Sequence, residues 1–284
     1  MPPNAPPTAR RRRLGTELRR LRERAGMTAT NAAALISANQ SRISNIEAGR
    51  YGVSAERVRA LAANYECVDK ALVEALAGMT GERGRRGWWE EYRDRLPARM
   101  LDLAELEHHG HRLRTAHIAN LPGLLQTFEH ARAVCRQVVP ELSPPEVEHR
   151  ASFRIKRQTV LFREDPVPYQ AVLHEAGLRM QFGGRATARA QLKHLLAMSE
   201  REHITLLVIP FAAGAFAGST QPLYYVHGAV PQLDTVQLDQ SHGPVFLDAE
   251  AQLDKYRLVL ERLTATALDP KKSQDFIHSI VRDL

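Results

Sequence analysis

Five short amphipathic segments occupy residues 14–79, and they constrain the fold of this chain more than any other feature. The first segment repeats apolar residues at helical spacing from Leu14 to Ala25 and stops at Gly26, a favourable residue for a helix C-terminus. Each of the other four follows a side chain that can cap a helix, namely Thr28, Asn39, Ser54 or Asp69. Five short helices in so few residues predict a compact all-α domain.

The third segment carries the most unusual surface. Residues 38–50 read ANQSRISNIEAGR, in which Ile43 and Ile46 fall on one face of a helix while the polar side chains face outward. Taken alone, this pattern also fits an ordinary solvated surface helix. The preceding helix and the tight turn at Ser37-Ala38 favour a helix-turn-helix motif, whose second helix enters a DNA major groove about 12 Å wide.

The charge of the chain is concentrated at one end. Residues 1–65 contain 12 arginines and four acidic residues, a net charge of +8, whereas the whole chain carries +7. The remaining 219 residues therefore sum to −1. This asymmetry is typical of a polyanion-binding module joined to a nearly neutral one.

Length and composition exclude several classes of protein. With 284 residues and 44% hydrophobic content, the chain can form one large domain or two ordinary ones. Cys67 and Cys135 are too few for a disulfide framework, and no apolar run approaches the roughly 18 residues of a membrane span. We therefore expect a cytoplasmic, nucleoid-associated protein without a membrane partner.

The helix-turn-helix interpretation assigns roles to individual residues. The side chains expected to contact base edges lie on the third helix: Gln40, Ser41, Ser44 and Asn45. Those expected to contact the DNA backbone are Arg10, Arg11, Arg12, Arg13, Thr28, Asn39, Arg42 and Arg50, although Arg42 can also contact guanine. Residues 1–13 are predicted to form a disordered basic arm.

The rest of the chain has a mixed pattern. Residues 80–87, TGERGRRG, read as a linker without a core of its own. Beyond it, amphipathic helical segments alternate with β-rich runs such as ITLLVIPF, QPLYYVHG and DTVQLD. Residues 88–284 are therefore predicted to form one α+β domain that serves for regulation or partner binding.

The run GMTATNAAALISANQSRISNIEAGR resembles the Cro-type repressors, also called xenobiotic-response-element (XRE) regulators. The resemblance implies that a Thr caps the first helix of the motif and that Ala33 packs where the two helices cross. Glu47 is expected to stabilise the fold by pairing with an arginine rather than to contact DNA. Ala29 departs from the family, which usually has Gln at this position. This departure removes a supporting polar contact and implies modest DNA affinity.

Nearly the whole chain is similar to WhiJ-type actinobacterial regulators. The similarity is carried by GWWEEY, LPGLLQTFEHARA, HEAGLR, QLKHLL and VIPFAAGAFAG, and by the RxxRQ pattern at 154–158. Such proteins join a Cro-type head to a large domain of unknown function and are described as antitoxin-like. A small protein is commonly encoded beside them, so the resemblance implies a small protein partner.

Other constellations of polar residues carry less weight. Glu107-His108-His109-x-His111 lacks cysteine pairs, and adjacent histidines on a helix point in different directions, so a metal site is not expected. Gly214 and Gly218 lie in a loop without a following GK[ST], which favours a turn or a partner-contact loop over phosphate binding. Ser219, His227 and Asp234 have the residue types of a hydrolytic triad. No glycines of a nucleophile elbow surround the serine, so a hydrolytic site is not expected. The sequence predicts no cofactor and no enzymatic activity.

Three hypotheses about function remain: two are DNA-binding regulators and one is an enzyme. The leading one is a sequence-specific transcriptional regulator that binds an inverted repeat in double-stranded DNA as a homodimer and whose C-terminal domain binds a small protein. The alternative is a one-component sensor with a small-molecule ligand in that domain. An enzyme that uses the N-terminal domain only for localisation is the least favoured.

Overall fold

The structure is a computed structural model, and it describes residues 7–80, 87–218, 221–240 and 243–284. The chain divides into two compact units. The first unit holds the residues up to Arg93 together with Pro97–Leu106, and the second holds Asp94–Leu96 together with Glu107–Leu284. None of the helices in these ranges is long and apolar enough to cross a membrane.

The first unit begins with the five expected helices. They are α1 (Ala9–Arg24), α2 (Ala29–Leu35), α3 (Gln40–Glu47), α4 (Ala55–Asn64) and α5 (Lys70–Gly78). The four predicted capping side chains each accept a hydrogen bond from a backbone N–H three residues further on. The prediction of an all-α five-helix domain at the N-terminus is therefore confirmed.

The predicted disordered arm is wrong for residues 9–13, because α1 begins at Ala9 rather than at Leu14. Thr8 caps this helix by accepting a hydrogen bond from the Arg11 backbone N–H, and Asp102 accepts one from the Ala9 N–H at 2.9 Å. These two acceptors satisfy donors that a helix N-terminus leaves without partners, and they extend the helix through the basic run. Residues 1–6 of the proposed arm lie outside the described residues.

Close contact between backbones fixes α3 against α1. A Cβ atom at Gly15 would lie 2.3 Å from the Glu47 carbonyl oxygen, so only glycine permits this approach. Gly49, which follows α3, has a φ of 70°, and a Cβ atom there would lie 2.9 Å from the Arg11 backbone. Leu18 of α1 and Ile43 of α3 are both buried at 1% exposure in the core of this unit.

The first unit also includes residues beyond the predicted linker. A 3-10 turn spans Trp88–Tyr92, and α6 (Ala98–His109) follows Pro97. The amphipathic segment after residue 87 is not one continuous helix but is interrupted before Pro97, because proline disfavours a helical residue before it. The compact unit extends past the predicted boundary at residue 88, since Asp102 of α6 binds both the Ala9 N–H and Arg12. Residues 81–86 of the predicted linker lie outside the described residues.

The second unit is built on a mixed six-stranded sheet and confirms the predicted α+β domain. The strands are β1 (Arg112–His117), β2 (Tyr169–His174), β3 (Ile204–Ile209), β4 (Leu223–His227), β5 (Thr235–Leu238) and β6 (Val245–Leu247). Their spatial order is β3-β2-β1-β4-β5-β6. The first three strands are parallel, and β4, β5 and β6 pair antiparallel.

Six helices belong to this unit in addition to the end of α6. They are α7 (Phe128–Cys135), α8 (Pro144–Arg157), α9 (Glu175–Arg179), α10 (Arg185–Ser199), α11 (Glu250–Thr266) and α12 (Pro270–Asp283). One face of the sheet, which includes Val172 and Tyr225, packs against Leu260 and Leu263 of α11. The opposite face carries Thr115 and Tyr224 as paired neighbours.

Candidate nucleic-acid interface

Helix α3 has the two-sided surface that its sequence predicts. Ile43 and Ile46 are 1% and 3% exposed, so they anchor the helix in the core of the first unit. The exposed side chains on the other faces are Gln40, Ser41, Arg42 and Ser44. Asn39 caps the helix by accepting a hydrogen bond from the Arg42 backbone N–H at 2.9 Å. The buried isoleucines and the Asn39 cap hold α3 in place with its polar side exposed to solvent.

The connection between α2 and α3 is a tight turn. Ser37 has a φ of 51°, and the Ala38 N–H donates to the Ala33 carbonyl at 2.9 Å. The short side chain of Ala33 is 2% exposed where α2 and α3 meet, which is consistent with the small residue expected at the crossing. The geometry is that of two helices joined by a short turn, the second of which is available to a DNA groove.

A buried ion pair locks the end of α3 to α1. The Arg22 guanidinium donates from Nε and Nη2 to the two Glu47 carboxylate oxygens at 2.6 and 2.9 Å, and from Nη1 to the Met27 carbonyl at 2.7 Å. Both side chains are 9% exposed. The hydrogen bonds that Arg22 donates to Glu47 raise the pKa of Arg22 above its ordinary value. Glu47 thus pairs with an arginine as the sequence predicted.

The residues predicted to contact bases differ in whether their side chains are already hydrogen-bonded within the protein. Asn45 is half-buried, and its amide nitrogen donates to the Ser41 carbonyl at 2.9 Å, so one of its two N–H donors is already used within the helix. Gln40 and Ser44 form no side-chain hydrogen bond within the described ranges. Among these residues, Gln40 has the longest reach and lies at the N-terminal end of α3, the end that contacts base edges in helix-turn-helix proteins.

The residues predicted to contact the DNA backbone also separate into two groups. Thr28, Asn39, Arg42 and Arg50 are exposed around α2 and α3, and Arg11 is exposed on α1.

The other arginines of the basic run have partners within the first unit. Arg10 donates to the Gly78 carbonyl at 3.0 Å, Arg12 pairs with Asp102 at 3.1 Å, and Arg13 is 8% exposed beside Glu17. Arg10 and Arg13 are therefore not among the exposed residues, whereas the Arg12 side chain is 47% exposed although it pairs with Asp102.

A polar cleft of about 480 Å³ beside α3 brings in two residues that the sequence interpretation missed. Arg57 and Tyr51 line it together with Asn39, Ser41 and Arg42. The cleft lies where two capped helices, α3 and α4, begin, and the positive ends of helices favour anions. Arg57 lies three residues after the Ser54 cap of α4. Its place in the first turn of that helix could therefore have been recognised from the sequence.

Two polar clusters considered in the sequence analysis belong to the second unit: the Ser219, His227 and Asp234 set, and the cluster that begins at Glu107. His227 Nδ1 lies 3.4 Å from Asp234 Oδ2, and that carboxylate also accepts hydrogen bonds from the Tyr225 hydroxyl and the Gly228 N–H. Ser219 lies outside the described residues. Both Glu107 carboxylate oxygens accept hydrogen bonds from Arg157, which places Glu107 in an internal ion pair.

Comparison with known protein families adds two matches. A helix-turn-helix domain model matches residues 13–76, and a model described as Domain of unknown function (DUF5753) matches residues 100–279, which is more than half of the chain. No curated protein and no solved structure matches the chain. The first match covers the helices that form the polar surface of α3 and the cleft beside it.

Proposed function

The chain belongs to the DUF5753 family and carries an N-terminal helix-turn-helix domain typical of DNA-binding regulators, and from that premise we propose that it is a sequence-specific transcriptional regulator of the Cro-type, or XRE, class. The observation that carries the proposal is α3 itself. Its buried isoleucines fix the helix, while Gln40, Ser41 and Ser44 remain exposed beside two arginines of the adjoining cleft. Base-reading side chains and backbone-contacting cations are thus adjacent.

We further propose that the protein binds as a homodimer to an inverted repeat. One recognition helix contacts only a few base pairs, and two-fold related helices can occupy successive major grooves about 34 Å apart. Selection of bound duplexes from a random DNA library by the full chain tests this. We expect an enriched inverted repeat with half-sites about one helical turn apart. A single enriched half-site bound by a stable monomer would exclude the dimer.

For the second unit we propose a small protein partner and an antitoxin-like mode of regulation. This rests on the resemblance to WhiJ-type regulators and on the near-neutral charge of the C-terminal region. The proposed role is binding rather than catalysis, in the cytoplasm. Purification of the full chain from its native cell tests the partner. A stoichiometric small protein that also binds the purified chain is expected, whereas a chain that regulates normally and carries no such protein would contradict the proposal.

A second candidate is a one-component sensor that binds a small molecule in the second unit. The specific observation that favours it is a partly buried arginine, Arg154, which no carboxylate pairs with in the described part of the chain. Native mass spectrometry of the full chain distinguishes the two candidates, because a retained small molecule supports the sensor and a retained small protein supports the antitoxin-like regulator.

A further inference from the structure

Two arginines on α8 have opposite environments. Arg157 is buried, and it donates from Nε to Glu107 at 2.8 Å and from Nη2 to the other oxygen of the same carboxylate. Arg154, one turn earlier, donates from Nη1 to the neutral amide oxygen of Gln126 at 2.9 Å. No ion pair of Arg154 is formed within the described ranges. A guanidinium has five N–H donors, so most of the donors of Arg154 remain available.

The groups around Arg154 do not neutralise it. Burial lowers the pKa of Arg154 below its ordinary value, and Arg157 and Arg150 add to this effect, whereas Cys135 and Asp239 oppose it. His130 lies close enough for Arg154 to contribute to the lowering of its pKa. Of these neighbours only Asp239 is a carboxylate, and it forms no ion pair with Arg154. A partly buried arginine without a paired anion loses part of its hydration without a compensating charge, which is energetically unfavourable.

The position of Arg154 in the fold is one where ligands commonly bind. Gln126, its hydrogen-bond acceptor, closely follows a 3-10 turn at Gly123–Leu125 that comes after the carboxyl end of β1. Asp239 directly follows β5, which runs parallel to β1 because both are antiparallel to β4. The carboxyl ends of β1 and β5 therefore lie at the same edge of the sheet. Here the parallel strands meet the antiparallel ones, and open α/β sheets commonly bind ligands at such changes of strand order.

Hydrogen bonds and packing hold the groups beside Arg154 in place. Gln126 is 2% exposed, its amide donates to the Leu121 carbonyl at 2.7 Å, and its backbone carbonyl accepts from Gln158 at 2.6 Å. Its side-chain oxygen is thereby aimed at Arg154. A Cβ atom at Gly123 would lie 3.6 Å from the Arg154 side chain and 3.6 Å from Arg157 Nη1, so this turn packs directly on both arginines. Arg154 is only partly buried, which leaves it accessible to a small molecule.

We propose that Arg154 binds the oxyanion group, a carboxylate or a phosphate, of a small molecule at the carboxyl edge of β1. The planar guanidinium fork matches such groups through two parallel hydrogen bonds, and Gln126 holds the fork in place. The bound anion neutralises the cation that the fold otherwise leaves uncompensated. The inference concerns the second unit and is independent of DNA binding.

Thermal unfolding of the full chain tests this assignment with defined probes. The melting temperature is measured against increasing inorganic phosphate in one series and increasing acetate in another, at constant ionic strength maintained with chloride. A saturable rise with phosphate alone identifies a phosphate site, and a rise with acetate alone identifies a carboxylate site. In Arg154→Met the apparent affinity for the effective anion is expected to fall at least about tenfold, because hydrogen bonds to a charged group are lost.

Two further variants separate binding from folding. Arg150→Met removes the same charge one turn away on α8 and is expected to retain the response of the unchanged protein. Arg154→Lys keeps the charge but loses the fork, and its affinity is expected to fall between those of the other two proteins. Circular dichroism verifies that each variant is folded. The proposal is overturned if neither anion gives a saturable rise, or if Arg154→Met responds like the unchanged chain.

Discussion

At the scale of single residues, Glu47 joins the end of α3 to α1. Its carboxylate and the Arg22 guanidinium are both removed from water and bind each other in a fork. Removing one member of a buried pair leaves the other without compensation, which typically costs about 3–5 kcal/mol. We therefore expect Glu47→Gln to lower the free energy of unfolding of the first unit by roughly this amount.

Hydrogen exchange of the backbone amides in residues 9–80, followed by mass spectrometry on the full chain, measures this loss. Glu74→Gln is the matched control, because Glu74 pairs with Arg59 on the surface of the first unit, where the two side chains are 61% and 48% exposed. An exposed pair contributes about 0–1 kcal/mol, so the control should exchange almost as slowly as the unchanged protein. Equal effects of the two substitutions would show that the Arg22–Glu47 pair does not fix α3.

Two histidines of the second unit make the stability depend on pH. Burial lowers the pKa of His117 to about 4, and burial together with Arg154 lowers the pKa of His130 to about 4. Histidine in an unfolded chain titrates near pH 6.5. Between these values the unfolded chain binds more protons than the folded one, so the free energy of unfolding decreases as the pH falls from about 6.5 towards 4.

Substitution of His130 tests this origin of the pH dependence. Neither ring nitrogen of His130 has a hydrogen-bond partner among the described residues, so His130→Leu removes no hydrogen bond there. We expect denaturant unfolding of this variant to show a smaller loss of stability between pH 6.5 and 4 than the unchanged chain. His278→Leu, at an exposed position on α12, should leave the pH profile unchanged. An unaltered profile in His130→Leu would mean that His130 does not titrate with unfolding.

At the scale of the elements, the start of α4 contributes a cation to the surface around α3. Arg57 lines the same cleft as Arg42, so we expect Arg57→Ala to weaken binding to operator and scrambled DNA alike. Loss of one phosphate contact should reduce the slope of log K against log salt by about one. Arg59→Ala changes the same charge on the same helix, but Arg59 pairs with Glu74 at 2.7 Å and should have little effect. If both substitutions act equally, the cleft is not a phosphate site.

The predictability of each element follows from where its determinants lie. The capped helices α2 to α5 were predictable because the cap and the apolar stripe are both local in sequence. The start of α1 was not, since Asp102, which accepts the Ala9 N–H, is distant in the chain. Strand β6 has only three residues and exists through its pairing with β5. Helix α12 did carry a local signal, Asp269 followed by Pro270, that the sequence interpretation overlooked.

The same distinction applies to the candidate sites. The polar face of α3 was predictable from the spacing of Ile43 and Ile46. Periodicity could not predict that Asn45 binds Ser41 or that Arg12 binds Asp102, because both contacts depend on side-chain geometry. The environment of Arg154 depends on Gln126 and on the strand order of the sheet, so no local pattern distinguishes it from Arg157.

At the scale of the whole molecule, the uneven charge determines how binding responds to salt. The net charge of +8 lies in residues 1–65, and the rest of the chain is nearly neutral. Each phosphate that the protein neutralises contributes about −0.9 to the slope of log K against log salt. We therefore expect the affinity of the full chain for duplex DNA, measured by fluorescence anisotropy at several salt concentrations, to fall steeply. Binding that is insensitive to salt would contradict an electrostatic contact between the first unit and DNA.

We propose that α3 reads DNA sequence, and substitutions of Gln40 and Arg42 test this claim because both residues are exposed on its first turn. Each variant is titrated on operator and scrambled duplexes at several salt concentrations, with circular dichroism to verify folding. Gln40→Ala should lose about 1–3 kcal/mol on the operator and little on scrambled DNA, whereas Arg42→Ala should weaken both and reduce the salt slope by about one. An unchanged ratio of operator to scrambled affinity in folded Gln40→Ala would contradict the claim.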